Sequence, residues 1–178
     1  MPEHGNYLIL LKSRIYDVVD LYSFMENQVG NTCIVLGDYE LIAEFKGKYK
    51  KLEDLLKSEL VRKKTFSPPS GREEPIVVYA LEKELPPFGE DKKIKCYTFM
   101  TFENEDEADV GITLLRHGGI SCVRVRPLSK LLLFSFPHVV TKLDSNDLSA
   151  IRDLMLNRVA NICRKNKFEL RTTTYIVL

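Results

Sequence analysis

The sequence predicts an α+β fold built from two ferredoxin-like βαββαβ units. Three observations predict it. The order strand, helix, strand, strand, helix, strand reads twice along the chain. The first reading runs from Tyr7-Leu8-Ile9-Leu10-Leu11 to Ile76-Val77-Val78-Tyr79-Ala80-Leu81, the second from Ile94-Lys95-Cys96-Tyr97-Thr98-Phe99 to Thr173-Thr174-Tyr175-Ile176-Val177-Leu178. The length, 178 residues, suits two small units. One such unit leaves a sheet face bare, because both helices pack on the other, and a second copy supplies a partner for it. The expected boundaries are 1–85 for the first unit, 86–92 for a linker and 93–178 for the second unit.

In the first unit, the opening strand leads into Ser13, a candidate helix cap. Ile15, Val18, Tyr22, Met25 and Val29 follow at helical spacing. Gly30-Asn31 supplies the left-handed residue that closes a helix. Thr32-Cys33-Ile34-Val35-Leu36 is β-branched and apolar, hence a strand. Gly37-Asp38-Tyr39 reads as a tight turn into Leu41-Ile42-Ala43-Glu44-Phe45. Leu52, Leu55, Leu56 and Leu60 mark a second helix. From Thr65 to Pro75 the Ser/Pro/Gly-rich composition is that of a loop. Glu84-Leu85-Pro86-Pro87-Phe88-Gly89 sits where the pattern restarts and reads as the linker.

In the second unit, Asn104-Glu105-Asp106-Glu107 has the form of a capping box, and its acidic first turn complements the helix dipole. His117-Gly118-Gly119 stops that helix. Strands are expected at Ser121–Val125 and Leu131–Phe136, flanking Arg126-Pro127-Leu128-Ser129. Asp144-Ser145-Asn146 offers caps for a long helix with Leu148, Ile151, Met155, Val159 and Ile162 on one face.

Composition narrows the function classes. With 26 basic and 25 acidic residues the net charge is +1, so no global field favours nucleic acid or membrane. The lysine-dense stretches, Lys46 to Lys51 and Arg62-Lys63-Lys64, read as solvated faces and loops. No long apolar run and no signal-peptide pattern at Met1–Gly5 appear, so a cytoplasmic location is expected. Cys33, Cys96, Cys122 and Cys163 are isolated from one another and form no zinc pattern. Neither a metal nor a cofactor is expected.

Two segments carry a family resemblance. Val35-Leu36-Gly37-Asp38-Tyr39-Glu40-Leu41-Ile42 resembles the turn between strands two and three of the effector domain of the Lrp/AsnC regulators, the RAM domain. Arg171-Thr172-Thr173-Thr174-Tyr175-Ile176-Val177-Leu178 is similar to that domain's last strand. The resemblance implies that the two units pack as an intramolecular dimeric α/β barrel, a pseudo-dimer within one chain. Because a strand begins at Tyr7, it also implies a stand-alone tandem effector module without a helix-turn-helix, hence no direct contact with nucleic acid.

The same resemblance implies an effector cleft near the first hairpin. Gly37 would allow close approach, and Asp38, Tyr39 and Glu40 would meet the ammonium and side chain of a bound amino acid. Gly-Asp is equally a good hairpin turn with no ligand. Arg124 and Arg126, alternating along a strand, are suited to pairing a carboxylate; the competing reading is a protective strand edge. Arg171 and Thr172 offer a cation and a hydroxyl, although threonine's strand propensity explains the run as well.

Catalysis is not expected: His117 sits in a helix stop, where a histidine ordinarily partners the helix dipole, His138 has no acidic partner beside it in sequence, and no nucleophile motif or phosphate loop is present. The sequence therefore points to a small-effector-binding regulatory module. It would form homo-oligomers or mixed oligomers with related regulators. The alternatives are an oligomerisation scaffold or partner of full-length transcription regulators that binds no ligand and, ranked below it, a dimeric α/β-barrel enzyme.

Overall fold

The computed structural model describes residues 4–35, 40–66, 74–128, 137–165 and 171–177. Two compact units divide the chain, Met1–Leu81 with Pro127–Leu133 and Glu82–Arg126 with Phe134–Leu178.

In the first unit, β1 (His4–Lys12) leads to α1 (Val18–Val29), β2 (Thr32–Val35), β3 (Glu40–Lys48), α2 (Tyr49–Leu56), α3 (Glu59–Lys64) and β4 (Ile76–Leu81). Antiparallel pairing of β1 with both β3 and β4, and of β2 with β3, gives the order β4-β1-β3-β2. Alternation along β1 sorts its side chains. Tyr7, Ile9 and Leu11 join Leu21, Met25, Leu52 and Val61 in the core under the helices. Leu8 and Leu10 point to the opposite face and are also buried.

Helix α1 starts later than the sequence predicts. Ser13 is not its cap: the hydroxyl donates to the Lys64 carbonyl at 2.7 Å, and Ser13 bridges to Thr65. Asp17 precedes the first helical residue, leaving Ile15 exposed instead of on the buried stripe. The stop at Gly30 is as expected, with φ 75° and its N–H donating to the Glu26 carbonyl.

The second unit comprises β5 (Ile94–Thr101), α4 (Glu105–His117), β6 (Cys122–Pro127), β7 (His138–Ser145), α5 (Leu148–Asp153), a π-helical turn Leu154–Val159, α6 (Ala160–Lys165) and β8 (Arg171–Val177). Strand β5 pairs with β7 and β8, and β6 with β7, so the order is β6-β7-β5-β8. Its helix-side core includes Met100, Phe102, Ile112, Leu115, Cys122, Val139 and Val159.

The capping box at α4 forms in part. Asn104 accepts the Glu107 N–H at 2.8 Å, but the Glu107 carboxylate takes the N–H of Glu103, one residue before the cap. The expected third strand of this unit, Leu131–Phe136, lies outside the described residues. The strand that pairs with β5 is His138–Ser145, where Val139, Val140 and Thr141 supply β-branched side chains on both faces. Asp144 therefore lies in a strand. Asp147 caps the following helix by accepting the Ser149 N–H at 2.8 Å.

The segment expected to be a linker packs onto the second unit. Leu85 is buried, the Phe88 ring meets Tyr97 edge-on at 5.2 Å, and the Lys142 ammonium lies 4.1 Å from the Phe88 centroid. Gly89 donates its N–H to Asp144.

Helix α4 meets its sheet through Gly111. A Cβ added there would lie 2.6 Å from the buried Phe102 ring. A mid-helix glycine costs about 1 kcal/mol relative to alanine, and here it makes room for the ring. Gly111→Val is expected to destabilise by about 1–3 kcal/mol through overpacking, lowering Tm by roughly 2–4 °C per kcal/mol. Pairing it with Phe102→Leu should recover part of the loss in thermal unfolding; no loss in the single variant would refute the close-approach argument.

Candidate functional site

The helix-free face of the first unit's sheet carries ionisable groups in apolar surroundings. Lys12 ends β1, Glu40 begins β3, and the two face each other in register. Their side chains form an ion pair at 3.6 Å, with Glu40 only 10% exposed and Lys12 24% exposed. Lys12 is fixed by its backbone, since its N–H donates to the Pro75 carbonyl at 2.8 Å and its carbonyl accepts the Phe66 N–H at 2.9 Å. The parity that places Lys12 on this face places Leu8, Leu10, Ile42 and Tyr79 there too. Burial pushes the Tyr79 hydroxyl above its ordinary pKa, and the Glu40 carboxylate adds to the rise.

Of the residues singled out by sequence, Glu40 belongs to this group. Gly37, Asp38 and Tyr39 lie outside the described residues, in the connection leading to it. Lys12 and Tyr79 escaped the sequence reading. The available signal was a cation closing an otherwise apolar strand and an anion opening the next, which pair only once the register is known.

The remaining predicted residues belong to the second unit. The Arg124 guanidinium reaches α4 and pairs with both Glu105 and Asp109, so its two-carboxylate recognition is satisfied within the protein. Arg126 is exposed near the end of β6. In β8, Arg171 lies opposite Thr101 and Thr172 opposite Met100. His117 is exposed in the last turn of α4, and His138 is half-buried at the first position of β7.

The second unit also buries a cluster of sulfur and hydroxyl groups where α5 passes into the π-helical turn. Cys96 and Thr98 both approach the Met155 sulfur, at 3.3 and 3.5 Å. Thr141, opposite Thr98, is fully buried. Burial pushes the Cys96 thiol up to about 11, despite an opposing hydrogen bond with Thr98, and raises the Cys122 and Cys163 thiols as well. These protonated thiols are poor nucleophiles and poor ligands for soft metals. Among the described residues no group of three or more His, Cys, Asp or Glu side chains is placed to hold a metal ion. No helix among them is long and apolar enough to cross a membrane.

No protein-family model matches the chain, and no curated protein matches its sequence. Solved structures do match. An anthrone oxidase-like protein is similar over 99% of this chain and 92% of its own, at 13% identity and a TM-score of 0.63. A protein from Fusobacterium nucleatum subsp. nucleatum described as a candidate monooxygenase is similar over 99% and 93%, at 8% identity and TM-score 0.59. A variant chlorite dismutase from Candidatus Nitrospira defluvii is similar over 98% and 90%, at 9% identity and TM-score 0.54. At these identities the likeness shows the fold, an α+β chain of ferredoxin-like units in the dimeric α/β-barrel class.

These similarities correct the expectation that the chain is not an enzyme, because the solved structures that share its fold include proteins named for oxidation and dismutation. The expectation rested on missing local motifs. Groups contributed by separate strands to one sheet face, as Lys12, Glu40 and Tyr79 are, leave no such motif.

The raised Cys96 pKa has a consequence for stability. The unfolded thiol ionises near 9.0 and the folded one near 11. As pH rises past 9, the unfolded state loses its proton first, so the contribution present below 9 disappears by about pH 11. The loss from this thiol is expected to be about 2–3 kcal/mol. Urea midpoints at pH 8 and pH 11 should show the drop, and Cys96→Ala should make it smaller; equal drops in both proteins would remove Cys96 as its source.

Proposed function

We propose that the chain binds a small zwitterionic molecule, of the amino-acid class, at the Lys12–Glu40 end of the first unit's helix-free sheet face. One observation carries this reading: a largely buried ion pair stands at the rim of an apolar face, joined in sequence to the Gly37-Asp38-Tyr39 connection. The pair offers a carboxylate for an ammonium and an ammonium for a carboxylate. A bound amino acid would exchange the internal pair for two intermolecular ones and lay its side chain on the apolar surface. Gly37, Asp38 and Tyr39, which precede Glu40 in the sequence, are further candidates to contact the ligand.

The resemblance of the Val35–Ile42 and Arg171–Leu178 segments to the RAM domain supports a regulatory use of that binding. The bound state would pass to further copies of the chain or to related regulators through oligomer contacts. Arg126, Arg171 and Thr172 belong to the second unit, where they would serve such a contact or a second ligand, while Arg124 is taken up by Glu105 and Asp109.

Thermal unfolding against the twenty amino acids at millimolar concentration tests the reading. A ligand at about a hundred times its Kd stabilises by about 2.7 kcal/mol, so Tm should rise by roughly 5 to 10 °C. Glu40→Gln and Lys12→Met should each abolish the shift. Silence from all twenty, or shifts unchanged in both variants, would refute the proposal.

A second reading, chemistry at the same face, is favoured by Tyr79, a half-buried phenol under the influence of the Glu40 carboxylate. In apolar surroundings the Glu40 carboxylate is suited to taking a proton from a bound phenolic or activated C–H compound, and the Tyr79 phenol, kept protonated, to donating a hydrogen bond to the anion formed. Because an anthrone oxidase-like protein shares the fold, oxygen uptake with anthrone is the first assay. Uptake lost in both Glu40→Gln and Tyr79→Phe would support this reading; uptake indistinguishable from the buffer rate would exclude that reaction.

A further inference from the structure

The second unit contains a cleft distinct from the Lys12–Glu40 site. At one edge of β6, the Glu82 N–H donates to the Arg124 carbonyl at 2.9 Å. Two residues earlier on β6, the Cys122 carbonyl accepts from the Arg116 guanidinium at 3.2 Å. A side chain thus takes the carbonyl that a continuing strand would reach next. Here a cleft of about 510 Å³ opens between residues 83–86 and 119–123, within the range of roughly 300–1,000 Å³ typical of small-molecule sites.

The lining has two characters. Ile120, Cys122 and Val123 are buried and supply an apolar floor. Lys83 and Arg116 place two cations on the wall against one carboxylate, Glu84. Both cations act at the same point, since each draws the Cys122 thiol down against the upward push of burial and, more weakly, of the Glu82 carboxylate. Arg116 spends one of its N–H groups on Cys122, which anchors the planar fork and lowers the ordering cost of further bonds.

We propose that this cleft binds a small organic monoanion, its carboxylate held by Arg116 and Lys83 and its apolar body resting on Ile120 and Val123. The ligand class is set by the lining. Two cations against one anion favour a single negative charge, and Glu84 opposes a polyanion. Because Ile120 and Val123 are already buried, the hydrophobic gain comes from the ligand's own apolar body, which leaves water on docking against them. Thiol chemistry at Cys122 plays no part, because its sulfur is buried and donates to the Ile112 carbonyl.

Titration of the full chain with benzoate, followed by amide NMR, tests this. Benzyl alcohol serves as the uncharged match and inorganic phosphate as an anion without an apolar body. Saturable shifts confined to residues 83–86 and 116–123 are expected with benzoate, none with benzyl alcohol, and weaker ones with phosphate. Lys83→Gln should weaken benzoate binding by about tenfold, the usual scale for one charged hydrogen bond, and Arg116→Gln by at least as much. Lys83 is exposed, so its variant keeps the fold even if Arg116→Gln disturbs β6. No saturable shift up to about 20 mM benzoate, an unchanged Kd in Lys83→Gln, or phosphate binding as tight as benzoate would each overturn the proposal. Failure here leaves the Lys12–Glu40 reading untouched, because the two sites share no residue.

Discussion

Each unit is governed by one constraint: its helices cover only one face of its sheet. The central strands must nevertheless be buried on both faces, and β1 meets that demand with an almost unbroken apolar run. Tyr7, Ile9 and Leu11 lie under the helices, while Leu8 and Leu10 are buried on the other side. Burial of each such side chain stabilises by about 1.5–3 kcal/mol, so the central strand anchors the unit. The same constraint makes charge expensive on the helix-free face. An isolated ion there would cost several kcal/mol, and the face accepts ions only as partners.

That is how Lys12 and Glu40 occur there. They stand at the end of the β1–β3 ladder, opposite each other, where partial exposure of Lys12 reduces the desolvation cost. In the second unit Lys142 is nearly buried, and the rings of Phe88 and Tyr97 face its ammonium at 4.1 and 5.6 Å. The chain segment bearing Phe88 is tied down by the bond from Gly89 to Asp144. A stretch rich in proline, which composition marks as a linker, is therefore recruited as cover for a cation. Where the protein buries a charge it also builds the group that tolerates it.

Much of the fold was legible in the sequence wherever a local signal coincided with a tertiary one. The doubled element order, the stop at Gly30, the Asn104 cap and the apolar stripes of the helices all have short-range physical causes. Sequence misled where a side chain was claimed by a distant partner. Ser13 looks like a cap but is spent on Lys64, fifty-one residues away. Asp144 also looks like a cap, yet it lies in β7, a strand hidden because Pro137 interrupts the chain just before it and Lys142 breaks its apolar pattern. The site followed the same rule. Glu40 was visible beside a glycine turn, whereas Lys12 and Tyr79 gain meaning only from register. Arg124 looked available for a ligand and is instead paired with two carboxylates of α4.

Register also bears on how the two units differ. Lys12 faces Glu40 in the first unit, and Thr101 faces His138 at the matching place in the second. Tyr79 opposite Leu8 corresponds to Tyr175 opposite Tyr97. The ladder is kept while the charges are not. A threonine and a histidine include no carboxylate and cannot offer the paired charges that a zwitterion requires. Other cations of the second unit include Lys142, under Phe88, and Lys83 and Arg116, beside the edge of β6. If the Lys12–Glu40 pair is the binding group, the described ladder of the second unit does not repeat it, and that unit is released to recognise a different ligand with residues outside its ladder.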